Sequence, residues 1–166
     1  MAYLPNEKTH IEKAMHDGNF YFIAGHTSLN DGDEFYVQIT TDSNKETHFY
    51  WEISSNTEME TQLYENVTAG VSGGTSVTPI NANRNSSNTS GASILKGITV
   101  DGATFAYSAI IDDNHEGLDS RRIKAGLSEE GSSVILKKGT VYVRKFLSHG
   151  DGNVVNFRAM WIEEED

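Results

Sequence analysis

The chain contains no cysteine, which excludes a disulfide framework and any thiolate metal site. A cysteine-free composition fits synthesis in a reducing cytosol. Proline is scarce as well, with two residues in 166, and Pro79 falls at the edge of a strand-like run, where a missing backbone donor is tolerated. The fold is therefore expected to depend on its apolar core and its turns.

Positive charge is also scarce, because 13 basic side chains stand against 24 acidic ones, a formal charge of −11. Nucleic acid is excluded as an expected partner, since phosphate binding needs a concentrated basic surface. No apolar run approaches the roughly 20 residues of a membrane helix. The first eight residues lack the apolar core of a signal peptide. We expect neither membrane association nor export by a visible signal.

Catalytic motifs are weak in this sequence. The six histidines show neither an HExxH motif nor a pair four residues apart, and they stand at positions 10, 16, 26, 48, 115 and 149. The glycine-rich stretch 69–75 lacks the P-loop lysine and predicts a flexible hairpin connection. No particular pair of carboxylates is singled out as a glycosidase pair. We expect no catalytic residues, no cofactor and no enzyme activity.

Two acid-rich segments raise the question of a metal site. Residues 30–34 resemble a calcium loop in composition but lack the EF-hand spacing. Residues 112–116 place five potential ligands side by side, and neighbours in a turn rarely converge on one ion. Because Asp, Asn and Gly are also the residues that tight turns prefer, both segments are predicted to be turns, with no metal site.

From Phe20 onward, apolar and polar residues alternate with the period of a β-strand. Asp101-Gly102, between residues 94–100 and 103–111, predicts a hairpin, and so does Lys138-Gly139, between 133–137 and 140–147. Strands recurring at short intervals with glycine turns favour an all-β sandwich of jelly-roll type, as a single domain over 20–166. The predicted core consists of Phe35, Val37, Phe49, Trp51, Ile53, Leu63, Val141, Val143, Phe157 and Trp161.

Residues 1–19 form a distinct leader, with an arm over 1–8 and a short helix or turn over 9–18. Thr9 is the candidate N-cap, Glu12 completes a capping box, and Gly18 follows the end. A frayed terminus is the alternative. At the other end, residues 163–166 are predicted to be a solvated acidic tail.

Two further features are candidates for binding. The loop 79–91 is rich in Asn and Ser and carries one positive charge, and loops of this length are functional or disordered. Tyr36, Tyr50 and Tyr64 lie opposite the apolar stripes, with His48 on the face of Tyr50. Such aromatics anchor protein interfaces or stack on sugars, and we favour an interface.

Several of these segments resemble small structural proteins of tailed bacteriophages. The resemblance spans about residues 20–162 and is sharpest in the hexad Asn-Arg-Asn-Ser-Ser-Asn. The segments that carry it are 49–55, 58–65, 83–88, 135–137, 140–144 and 156–161. It implies an all-β domain on the capsid surface of a virion: a head decoration (cement) protein, made in the host cytoplasm, bound to the major capsid protein and often trimeric.

Under that interpretation, two elements are predicted to make the contacts. The arm offers Tyr3, Leu4 and Lys8 around a stiff Pro5. The loop offers Asn83, Arg84 and Asn85, with Arg84 as the preferred anchor because guanidinium is enriched at hot spots.

The sequence does not decide whether either element binds the capsid or a neighbouring subunit. The alternative within the virion is a tail or head-fibre module that binds a host glycan. Outside the virion, the alternatives are a secreted carbohydrate-binding module or hydrolase.

Overall fold

The computed structural model describes residues 9–116 and 134–165. Within these residues, one short helix precedes eleven strands. In chain order they are α1 (His10–Asp17), β1 (Phe20–Leu29), β2 (Glu34–Thr40), β3 (Glu46–Ser54), β4 (Met59–Glu65), β5 (Val71–Val77), β6 (Ile80–Asn81), β7 (Ser93–Val100), β8 (Ala109–Glu116), β9 (Val134–Leu136), β10 (Val141–Ser148) and β11 (Asn153–Glu164). The contact residues predicted on the arm, Tyr3, Leu4 and Lys8, lie outside the described residues.

The strands form two antiparallel sheets that pack face to face. One sheet has the order β6-β1-β11-β3-β9 and the other β5-β7-β2-β10-β4-β8. The strands pair like those of one long hairpin that is wound into a sandwich. The successive pairs of this hairpin are β1·β11, β2·β10, β3·β9 and β4·β8. This winding is the jelly roll, so the predicted fold class is confirmed.

The main core lies between the sheets and is built largely from aromatic rings. Trp51 and Trp161 are fully buried. The Trp51 ring centroid lies 6.1 Å from that of Phe146 and 6.3 Å from that of Phe157. The predicted core residues that are confirmed in this layer are Val37, Phe49, Trp51, Ile53, Leu63, Phe157 and Trp161, with Phe35 partly buried against them.

The predicted orientation of β10 is wrong. Val143 is buried, but in a separate cluster on the outer face of the six-stranded sheet, against which Val141 packs. The side chains that β10 sends between the sheets are those of Tyr142, Arg144 and Phe146. The larger rings fill the inter-sheet space, while the two valines are covered from outside.

Arg144 places a charge in that core, with 1% of its surface exposed. Its guanidinium lies 2.7 Å from the Asp112 carboxylate and 5.3 Å above the Trp51 ring, and it donates to the Thr61 hydroxyl. Burial lowers the pKa of Arg144, and the charge of Asp112 opposes that shift. A buried cation is tolerated only with such partners, so Asp112 is part of the core's structure.

Both predicted hairpins are wrong in their pairing. β7 pairs with β5 and β2, whereas β8 pairs with β4 at the opposite edge of the same sheet. β9 pairs with β3 in one sheet, and β10 lies in the other. The turn at 101–104 does form, because the Asp101 carboxylate accepts from the Ala103 amide and the Thr104 hydroxyl. A turn motif determines the local bend, but not which strands become neighbours.

Helix α1 covers the outer face of the five-stranded sheet. Thr9 and Glu12 form the predicted capping box, and Gly18 adopts a left-handed conformation at the C-cap with φ of 74°. The helix buries Ala14 in a cluster with Phe20, Tyr50 and Ile162. Of the short helix or turn predicted over 9–18, the structure contains the helix. Within 9–116 and 134–165, no helix is long and apolar enough to cross a membrane.

Replacing Trp51 by alanine should lower the free energy of unfolding by about 3–5 kcal/mol, because the ring is buried between the sheets. Val154→Ala on β11, where the side chain is exposed, should change it by less than about 0.5 kcal/mol. Urea unfolding measures both values. Similar costs for the two variants would contradict this description of the core.

Candidate interaction surface

The Asn-rich loop packs against the end of α1. Its side-chain amides donate to carbonyls at the C-terminus of the helix. Asn83 Nδ2 lies 3.1 Å from the His16 carbonyl, and Asn81 Nδ2 lies 2.8 Å from that of Gly18. Asn88 Nδ2 lies 3.3 Å from the carbonyls of Asp17 and Gly18. The last carbonyls of a helix lack partners within the helix, so the loop asparagines complete it.

Asparagine side chains also shape the loop internally. The Asn81 side-chain oxygen accepts from the Asn83 amide at 2.9 Å, and that of Asn83 accepts from the Asn85 amide at 3.1 Å. These contacts two residues apart are Asx turns, in which a side chain replaces a backbone partner. The asparagine content of the loop therefore has a structural cause.

Glu163 holds the far end of the same loop. Its carboxylate accepts from the Gly91 amide at 3.0 Å, the Ala92 amide at 3.2 Å and the Trp161 indole at 3.1 Å, and it also contacts the Ser90 hydroxyl. Glu163 is 2% exposed. The prediction of a solvated acidic tail is wrong here, because Glu163 and Glu164 belong to β11 and pair with Thr47 and Glu46.

Tyr21 links this carboxylate region to the helix end. Its hydroxyl donates to the Gly18 carbonyl at 3.2 Å. Burial, and then the charge of Glu163, raise the pKa of Tyr21 to about 12. The hydroxyl consequently stays protonated near neutral pH and remains a donor.

Of the three contact residues predicted in the loop, Asn83 is half-buried against the helix, whereas Arg84 and Asn85 are exposed. The Arg84 side chain reaches back to the Asn81 carbonyl at 3.5 Å. The arm enters α1 at Thr9, and eight helical residues span about 12 Å. The arm's attachment point and the loop thus lie at the two ends of one helix, on one side of the molecule.

The predicted aromatic site differs from the one that the structure contains. Tyr50 is buried beneath α1, and Tyr64 is 8% exposed. Tyr64 packs against two aromatics from the loop before β8, with ring centroids 5.1 Å from Phe105 and 4.6 Å from Tyr107. Tyr107 is 43% exposed. We call these three rings the outer aromatic cluster. The sequence pattern indicates Tyr64 but misses Phe105 and Tyr107, because it predicts one strand over 103–111, whereas β8 begins at Ala109.

The two acid-rich segments of the sequence take different structures, one a turn and the other part of a strand. Residues 30–33 form the predicted turn, where the Asp33 carboxylate accepts from the Asn30 amide at 2.8 Å. Residues 112–116, predicted as a turn, are part of β8. That strand brings His115 close to His149 and Glu60, a group whose ligand atoms lie within 4.8 Å of one another.

The glycine-rich stretch also differs from its prediction. Residues 70–74 match the letters of the G-x-S-x-G pattern, which in hydrolases places the serine on a sharp strand-to-helix turn. Here Ser72 lies within β5, opposite Thr99 of β7. The stretch is therefore an edge strand, and it lacks the geometry of a nucleophile elbow.

Comparison with known proteins gives no assignment: no protein-family model matches the chain, and no curated protein matches it either.

Removing the Glu163 carboxylate should destabilise the protein and loosen the loop together. Glu163→Ala removes the acceptor of the Gly91 amide and of the Ser90 hydroxyl. It also removes one of the two acceptors of the Ala92 amide and of the Trp161 indole, which keep the Ser90 hydroxyl. The expected cost in the free energy of unfolding is at least about 2 kcal/mol. Amide exchange at Gly91 and Ala92 should accelerate.

Glu164→Ala is the matched control. That side chain is 41% exposed and contacts His10 and His48, so its loss should cost less than about 1 kcal/mol. Equal costs, or unchanged exchange at Gly91 and Ala92 in Glu163→Ala, would show that the carboxylate does not hold the loop.

Proposed function

We propose that the chain is a head decoration protein of a tailed bacteriophage, which binds the major capsid protein on the outside of the shell as a homotrimer. The observation that carries the proposal is the fixed position of the Asn-rich loop, which presents Arg84 and Asn85 beside the helix that follows the N-terminal arm. The segments that resemble phage structural proteins support it as well. They fall on β3, β4, β9, β10, β11 and this loop.

The loop suits binding because it is already ordered. Association costs free energy wherever a flexible segment must be fixed. Here the asparagine contacts to α1 and the bonds to Glu163 fix the loop at both ends. The exposed Arg84 guanidinium then offers a planar set of donors to carboxylates and backbone carbonyls of a partner.

A single copy would still bind the capsid weakly, and the symmetry of an oligomer supplies the additional affinity. A closed threefold assembly repeats each contact, and linked contacts raise overall affinity by about 10²–10⁴. The arm is assigned either to the capsid or to the neighbouring subunit in the trimer. A stable sandwich with a −11 charge also suits a protein needed in many soluble copies.

The test uses capsids that lack the protein, titrated with purified variants. Arg84→Ala should raise the concentration for half-occupancy by at least about 30-fold, the effect of losing one hot spot. Deletion of residues 1–8 should weaken occupancy or lower the oligomer mass.

Lys96→Ala removes an exposed cation from β7, in the other sheet, and should bind as wild type. If Arg84→Ala and the deletion both saturate capsids as wild type does, and both keep its oligomer mass, the assignment of these contacts is wrong.

A second candidate function, a tail or head-fibre module that binds a host glycan, is favoured by the outer aromatic cluster. Tyr107 exposes 43% of its surface beside Phe105 and Tyr64. Aromatic faces stack on sugar rings, and the Tyr107 hydroxyl adds a hydrogen-bonding group.

Under this alternative, Tyr107→Ala should abolish binding to host-surface glycans, whereas Arg84→Ala should leave it intact. Binding to a glycan array and to whole host cells measures both. The absence of glycan binding by the wild-type protein would remove this candidate.

A further inference from the structure

Four side chains that bind metals well in other proteins meet at one end of the six-stranded sheet. Glu60 on β4 lies opposite His115 on β8 and opposite Leu147 on β10. The backbone bond from the His149 amide to the Glu58 carbonyl, 2.9 Å long, extends the β4·β10 register by one residue. Because directly opposed residues share a face and side chains alternate, Glu58, Glu60, His115 and His149 all lie on the outer face.

The geometry already brings the ligand atoms together. The ligating atoms of Glu60, His115 and His149 lie within 4.8 Å of one another. His115 Nε2 lies 2.7 Å from Glu58 Oε1, and His149 Nε2 lies 3.1 Å from Glu60 Oε1. The two imidazole rings meet edge to face, with centroids 5.5 Å apart. Ligands around tetrahedral Zn²⁺ are separated by about 3.4 Å, so small side-chain rotations bring these atoms to the required spacing.

We propose that this cluster is a binding site for a divalent transition-metal ion of the zinc type. Glu60, His115 and His149 are the ligands, and Glu58, which contacts His115, supplies the fourth. Two imidazoles with carboxylates favour Zn²⁺ over Ca²⁺ or Mg²⁺, which prefer sites built from oxygen alone. The ion would replace two histidine–carboxylate hydrogen bonds by four metal bonds.

The site has a mechanical consequence for the fold. β8 is the edge strand of its sheet, with β4 as its neighbour there. An ion held by this cluster links β8 to β4 and to the chain just after β10. It therefore strengthens an edge strand that is otherwise held by its hydrogen bonds to β4 and by the Arg144–Asp112 ion pair. This inference departs from the sequence-based expectation of no metal site, and it is independent of the proposed capsid binding.

The experiment measures the melting temperature of metal-stripped protein with added Zn²⁺ near neutral pH. At about 100 times the dissociation constant, Zn²⁺ should raise the melting temperature by about 5–10 °C. Calorimetric titration should give one ion per chain. His115→Ala and His149→Ala should each abolish most of the shift. Both side chains are partly exposed, so the metal-free variants should melt close to wild type.

His10→Ala is the matched control, because His10 is also an exposed histidine that contacts a glutamate and lies against a second histidine. It should keep the full Zn²⁺ shift. A shift that survives His149→Ala, one that His10→Ala removes, or an equal shift with Ca²⁺ would overturn the proposal, as would no shift with Zn²⁺ at all.

Discussion

The buried carboxylate of Glu163 is the interaction on which the proposed binding surface depends. A buried charge is costly unless hydrogen bonds compensate it. Glu163 is compensated by amides at one end of the Asn-rich loop and by the indole of Trp161, a residue of the inter-sheet core. The same carboxylate thus connects the core to the loop. From there the asparagines continue the connection to α1, which fixes where the arm begins.

A second buried charge plays a comparable part in the other sheet. Arg144 stands in the inter-sheet core, and its ion pair with Asp112 ties the edge strand β8 to β10 across β4. Both Glu163 and Arg144 are charged residues at buried positions, where the alternation of apolar and polar residues in a strand predicts an apolar side chain. Removing one partner of a buried charge usually lowers stability far more than replacing both partners by apolar residues. We therefore expect these positions to tolerate single substitutions poorly.

The sequence predicted the features that depend on local chemistry. The capping residues of α1 and the alternation in β3 and β11 were confirmed, because caps and periodicity act over a few residues. The hairpin predicted at Asp101-Gly102 was wrong, because β8 pairs with β4. Strands β5, β6 and β7 lie between these two strands in the sequence. The burial of Glu163 and the approach of His115 to His149 depend on that long-range topology. Neither has a signal in the local sequence.

We propose that this sandwich covers the surface of a capsid in many copies. Quantitative mass spectrometry of purified virions, combined with electron microscopy of the particle, measures copy number and position together. We expect hundreds of copies per particle, arranged on the head lattice, with the helix α1 side of the sandwich toward the shell. A handful of copies at the tail, or none in the particle, would contradict it.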